Sequence, residues 1–171
     1  MLISLAVLLV PILVISAWFT RVPTSDPVQT VDWRAALAQA RAAAPYPVLG
    51  PVNLPDTWRA TKAQWSTTGQ PAVDLEPAPG NTWQLGMLSP DNVYLSLTQR
   101  VAEGPALVAQ VSRSGVEDGT SQVAGQSWTR WVSPDDRTRT LSRVDGTVTI
   151  VVSGDTTYAG LEAFTSTLQS S

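Results

Sequence analysis

The chain of 171 residues contains neither cysteine nor histidine. Without them there is no Ser-His-Asp or Cys-His nucleophile system, no thiol redox centre and no zinc site built on sulfur or imidazole. Most familiar hydrolase mechanisms are thereby closed, and carboxylate chemistry or hard cations held by oxygen are what remains formally open. No cysteine is available for lipoprotein acylation, and the lack of disulfides fits a cytoplasmic domain as well as an envelope one. Basic residues are scarce, and ten of the eleven are arginine. Residues 22–171 carry ten basic against fourteen acidic side chains, a net charge of −4. That balance argues against a nucleic-acid partner, whose phosphate backbone demands a basic face. Gly50, Gly69, Gly80, Gly86 and Gly104 make no phosphate-cradling spacing, so neither a nucleotide nor another cofactor is expected.

Charge is absent altogether from Leu2 to Phe19, an almost unbroken apolar run. A run of about 18 apolar residues is long enough to cross a hydrocarbon core as a helix, so the lipid bilayer is the first expected partner, through residues 2–20. A cleaved secretory signal would need a basic start, a shorter apolar core and a small-x-small site. Here Met1-Leu2-Ile3 opens the run directly, and Ile15 stands where a small residue is preferred before Ala17. Trp18, Phe19 and Arg21 read instead as the aromatic and charged edge of a membrane span. Residues 1–21 are therefore predicted to be an uncleaved anchor and 22–29, with Pro23 and Pro27, a short linker. Residues 30–171 have the size of one domain with a single core.

From Thr30, read as an N-cap, strong helix formers follow, and Trp33, Leu37, Ala40 and Ala44 share a face until Pro45 ends the run. Pro45, Pro47, Pro51 and Pro55 then require an extended connector. Between Trp58 and Ser153 the pattern alternates with period two. Thr82 to Leu88 and Val93 to Gln99 read as a hairpin turned at Ser89-Pro90-Asp91-Asn92. Leu107 to Ser112 and Gln122 to Val132, the latter interrupted at Gly125, continue the strand series. Ser112 to Thr120 and Asp74 to Gly80 read as loops. Asp145-Gly146 between Arg139–Val144 and Thr147–Val152 predicts a type I′ hairpin turn. Tyr158, Leu161, Phe164 and Leu168 then share the face of a last helix. The expected fold is α+β: an N-terminal transmembrane helix, then an antiparallel sheet of six to seven strands with helices packed on one face.

Pro45-Tyr46-Pro47-Val48-Leu49, Leu54-Pro55-x-x-Trp58-Arg59, Trp83-x-Leu85-Gly86, Tyr94-x-x-Leu97-x-Gln99, Gly125-x-x-Trp128 and the closing Thr149-Ile150-Val151-Val152-Ser153-Gly154 with its helix occur in that order. In this combination the chain resembles an actinobacterial family of small membrane-anchored proteins, domain-of-unknown-function family 4245, over nearly its whole length. The resemblance implies an anchored envelope protein and assigns no activity or functional residue. In that family a short basic stretch precedes the span. This chain shows none, so flanking charge does not orient the anchor; if such a stretch lies upstream, the gene should have an in-frame start before Met1.

Seven tryptophans invite a stacking-platform reading. Trp33 and Trp83 lie on apolar faces and are expected in the core. Trp58 and Trp65 are seven apart, hence on opposite faces of a regular strand, and Trp128 and Trp131 also split. Trp131, on a Ser/Thr face beside Arg130, and Trp65 are the candidate exposed aromatics, so Trp131, Arg130 and Trp65 form the candidate partner-binding surface. The acid pairs Asp74-x-Glu76, Glu117-Asp118 and Asp135-Asp136 all fall at turn signals, where solvation explains them.

The leading functional expectation is a non-catalytic, membrane-tethered interaction or assembly module on the outer face of the plasma membrane, engaging another envelope protein. A carrier of a lipid or small apolar ligand, and a carboxylate-dependent envelope hydrolase, are the alternatives. If the anchor is retained, the native protein fractionates with membranes and its intact mass includes residues 1–21; a mature N-terminus near Trp18 would overturn this.

Overall fold

The computed structural model describes residues 31–71 and 77–170. The predicted anchor (1–21), the linker (22–29), the predicted cap Thr30 and the acids Asp74 and Glu76 lie outside them. Among the described residues no helix is long and apolar enough to cross a membrane. The described elements run α1 (Trp33–Ala43), β1 (Gly50–Pro51), β2 (Arg59–Ser66), β3 (Thr82–Leu88), β4 (Tyr94–Val101), α2 (Gly104–Val111), β5 (Val116–Val123), β6 (Gln126–Val132), β7 (Arg139–Asp145), β8 (Val148–Gly154), α3 (Tyr158–Ser166) and β9 (Leu168–Gln169). Seven strands form one antiparallel sheet in the order β2-β3-β4-β8-β7-β6-β5. The short β1 pairs with β9. The expected α+β class, with a seven-stranded antiparallel sheet, is what forms.

The helix expected after residue 30 is α1, capped by Asp32, whose Oδ1 accepts from the backbone N–H groups of Arg34 and Ala35 at 3.1 and 3.3 Å. Leu37 and Ala40 are its buried residues. Strand register places Trp83, Leu85 and Met87 on one sheet face with Leu97, Gln99, Ile150, Val152 and Leu141. That face is buried beneath α1, the connector residues Val48 and Leu49, and Leu161 and Phe164 of α3.

The helices do not all share this face. Leu107 to Ser112, expected as a strand, forms the end of α2 with Ser112 as its C-cap, and α2 lies on the opposite face. A Cβ on Gly104 would meet Thr149 Oγ1 at 2.4 Å, and Thr149 points away from the main core. A short apolar run cannot distinguish strand from helix by periodicity. Pro105 in the first turn and the spacing of Leu107, Val108 and Val111 suit a helix, and Leu107 becomes fully buried.

The stretch 112–120, expected as a loop, is largely strand β5. Arg113 and Ser114 both take positive φ, 57° and 58°, and feed it. It reads as a loop because it is an edge strand: Val116 to Thr120 are exposed, and a bulge between Glu117 and Thr120 places Gly119 at φ 85°. The interruption at Gly125 is a hairpin turn, with Ala124 and Gly125 at φ 51° and 76°. Leu168, expected on the last helix, lies in β9 opposite Pro51.

Trp58 and Trp65 both pack against the core, because a register shift between Ala60 and Lys62 inserts one residue and reverses the parity of the strand. Trp58 stacks on Phe164 with ring centroids 5.6 Å apart, and Trp65 leans on Tyr46 at 5.8 Å.

The last hairpin differs in turn type from expectation. Asp145 pairs with Val148, so Gly146 and Thr147 are the central residues, and of these only Gly146 has positive φ, 58°. A glycine at the first central position is the mark of a type II′ turn. No heavy atom lies within 4 Å of a Cβ built at Gly146, so a side chain there is opposed by backbone conformation alone. Gly146→Val should therefore destabilise by about 1–3 kcal/mol in thermal or urea unfolding, and an unchanged midpoint would contradict this turn.

Candidate functional site

Strand alternation separates the two candidate residues that are neighbours in sequence. In β6, Arg130 pairs with Leu141 and belongs to the core face, whereas Trp131 pairs with Thr140 and points to the face covered by α2. Trp65 lies in β2, with β3, β4, β8 and β7 between it and β6. The three do not form one patch.

Trp131 stands alone of the three beside a large open groove. Its indole Nε1 donates to Ser142 Oγ at 2.7 Å, which holds the ring in place and leaves its carbon surface to the groove. The groove has a volume of about 550 Å³ and runs between α2 and strands β6 to β8, with Pro105, Val108, Ala109, Trp131 and Val144 as its apolar lining. Val144 is 69% exposed, although it sits in a strand between two paired neighbours. The volume lies within the range typical of small-molecule sites, roughly 300–1,000 Å³. Sequence reading missed the helical half of this groove because 107–112 resembles a strand; the signal that could have found it is Gly104-Pro105 followed by apolar residues three and four apart.

Two smaller clefts have different chemistry. One, of about 310 Å³, lies beside the start of α1 between Trp33, Trp58 and the Arg34–Asp56 ion pair. The other, of about 240 Å³, lies on the far side of Leu107 and is lined by Lys62, Gln84, Tyr94, Ser96, Arg100 and Gln110, among others. The acid pairs within the described residues are held in surface structure. Asp135 accepts from Ser133 Oγ and the Arg137 N–H, which keep its carboxyl below the usual range, and Asp136 pairs with Arg139 at 2.9 Å. Glu117 and Asp118 sit at the β5 bulge. Among the described residues no three Asp or Glu side chains are grouped to hold a metal.

Arg130 serves the opposite face. Its guanidinium bridges Ser121 Oγ and Glu162 Oε1, the latter at 2.8 Å, and lies 4.6 Å from the centre of the Tyr158 ring. Arg139 approaches the same ring at 5.7 Å. Burial first, and then the Asp118 carboxylate, push the Tyr158 phenol up to about 12. Ser121 and then Arg130 hold the Glu162 carboxyl below its ordinary value. This cluster fastens α3 to β5 and β6. A depressed carboxyl contributes stability that is present above its unfolded pKa and lost as pH falls through the folded one. The stability difference between the native chain and Glu162→Gln should therefore be largest near neutrality and vanish in acid below the carboxylate range, as read from melting temperature against pH.

No curated protein and no solved structure matches the chain. A family model does match it, over residues 1–168, and by that match the chain belongs to the family described as protein of unknown function (DUF4245).

Proposed function

We propose that this chain is a non-catalytic binding module of the cell envelope, held at the plasma membrane by residues 2–20 with its domain on the extracytoplasmic side, and that it binds through the groove beside Trp131. One observation carries the reading: an indole whose N–H is already satisfied by Ser142 presents its ring to an apolar groove of about 550 Å³ that the core does not need. Aromatic anchors in concave apolar settings dominate binding energy. The non-catalytic assignment draws support from the groove lining, which among the described residues includes no Asp or Glu. Arg130 and Trp65 are assigned to the fold in this reading, and Trp131 to binding.

The test contrasts two tryptophans. Trp83 is fully buried and donates its Nε1 to Leu49 O at 3.1 Å, so Trp83→Ala should cost about 3–5 kcal/mol. Trp131→Ala in the full chain should leave the melting temperature close to native and abolish labelling of neighbouring molecules by a proximity enzyme fused to the domain in the native cell. A Trp131→Ala variant that unfolds like Trp83→Ala, or one that labels the same neighbours as the native chain, would overturn the reading.

A further inference from the structure

We infer that the groove between α2 and the sheet accommodates the acyl chain of a membrane lipid; this deepens the proposed function and rests on the groove being the binding surface. Three features of the groove select the chemistry of its occupant.

The first is hydrogen bonding. The floor is made by β6, β7 and β8, and each of these strands is paired on both sides. An extended peptide lying there would find no free strand edge, and most of its backbone N–H and C=O groups would face Val108, Ala109, Val144 and the Trp131 ring, the groove offering side-chain hydroxyls alone, of which those of Ser112 and Ser142 already accept from Gly115 N–H and Trp131 Nε1. An unsatisfied amide against apolar groups is costly, whereas an acyl chain has no such requirement. The Trp131 N–H is also unavailable, since Ser142 accepts it.

The second is charge. Among the described residues, the charged residue along the groove is Arg143, which directs its guanidinium to the core face, where it bonds Gln126 Oε1 at 3.0 Å, pairs with Asp145 at 3.4 Å and lies 5.2 Å from the Trp128 ring centre. Neither a carboxylate nor a phosphate is offered a counter-ion within the groove. A head group would remain outside, and the uncharged chain would enter.

The third is supply. The linker 22–29 is eight residues long and so spans at most about 30 Å. On the anchored reading the domain stays within that distance of the bilayer, where acyl chains are the abundant apolar ligand.

The test uses the full chain reconstituted into vesicles of phosphatidylcholine and phosphatidylglycerol. The photoreactive residue p-benzoylphenylalanine is introduced at Val144 or, as a control, at Tyr94, which is exposed on the same sheet face but lines the polar cleft beyond Leu107. Irradiation followed by mass spectrometry should give a phospholipid adduct at position 144 and at least tenfold less at 94. Ala109→Trp, which fills the groove from an exposed helix position, should remove the adduct at 144, and Val108→Glu, which places a carboxylate in the groove, should do so independently if the first variant folds poorly. No adduct at 144, equal adducts at both positions, or an adduct that survives both variants would overturn the lipid assignment, the last two indicating only that the face rests on the bilayer. Loss of neighbour labelling in Trp131→Ala without any lipid adduct would leave the groove as the binding surface and remove the acyl chain as its occupant.

Discussion

The architecture depends on how one backbone unit, that of Leu49, is satisfied inside the core. The connector between α1 and β2 carries prolines that keep it out of helix and central strand, yet it crosses the apolar face of the sheet, where unpaired amides are expensive. Two buried side chains solve this. Gln99 Oε1 accepts from the Leu49 N–H at 2.7 Å, and Trp83 Nε1 donates to the Leu49 carbonyl at 3.1 Å. Trp83 and Gln99 are direct register partners on β3 and β4, so a single rung of the sheet holds both backbone polar groups of Leu49. Gln99 Nε2 also donates to Pro47 O, and Tyr46 O–H donates to the carbonyls of Asn81 and Gln99. With the connector fixed, Gly50 approaches Leu37 so closely that a Cβ would meet its Cδ2 at 2.2 Å, and β1 is presented to β9 for pairing.

With the connector, α1 and α3 filling one face, the other face has a different composition. Thr82, Thr98, Thr140, Ser142, Thr149 and Ser153 are buried there, and Val151 and Leu107 are fully buried but stand apart from the main cluster. A hydroxyl-rich sheet face gives a covering helix little apolar surface to grip, and α2 accordingly buries Leu107 alone among its residues. The helix is entered and left through non-glycine residues at positive φ, Ala102 and Glu103 before it and Arg113 and Ser114 after it. A helix seated by one leucine cannot close over the sheet on both sides, and open space remains along each flank. On the Trp131 side that space is apolar, and on the Lys62 side it is polar.

Much of this was legible in the sequence, and the failures share a cause. The hairpin β3-β4, the last hairpin, α1 and α3 announce themselves because a strongly apolar face is repeated over several turns or rungs and is bounded by turn residues. The residues that carry the family resemblance, Tyr46-Pro47-Val48-Leu49, Trp83 and Gln99, turn out to be those that lash the connector to the sheet. The misread stretches, 107–112 and 112–120, are where periodicity carries no information: one is a short apolar run compatible with either state, and the other a polar edge strand whose outward side chains are solvated on both sides. The groove depends on both. It needs α2 to be a helix on the second face, so only its strand half, Trp131 on a Ser/Thr face, could be seen in advance. Arg130 and Trp65 fall into the same candidate surface on sequence grounds because local alternation cannot reveal a partner element such as α3, or a bulge such as that at Ala60–Lys62.

A tether, if the proposed anchor is retained, would bear on how the groove works. An open groove buries a ligand incompletely, so its intrinsic affinity is limited by the area it removes from water, at about 25 cal/mol per Å² of apolar surface. Such a site would be a poor extractor of lipid from solution. On the anchored reading, the eight-residue linker replaces affinity with concentration, because a binding surface confined near its ligand experiences a high effective concentration without any further contact. On that reading the same confinement would make an exposed Val144 and a half-open Trp131 tolerable on a chain whose net charge is only −3. Free in solution, an exposed apolar groove invites self-association. Held singly at a bilayer and engaged by its acyl chains, the groove would have its apolar wall covered.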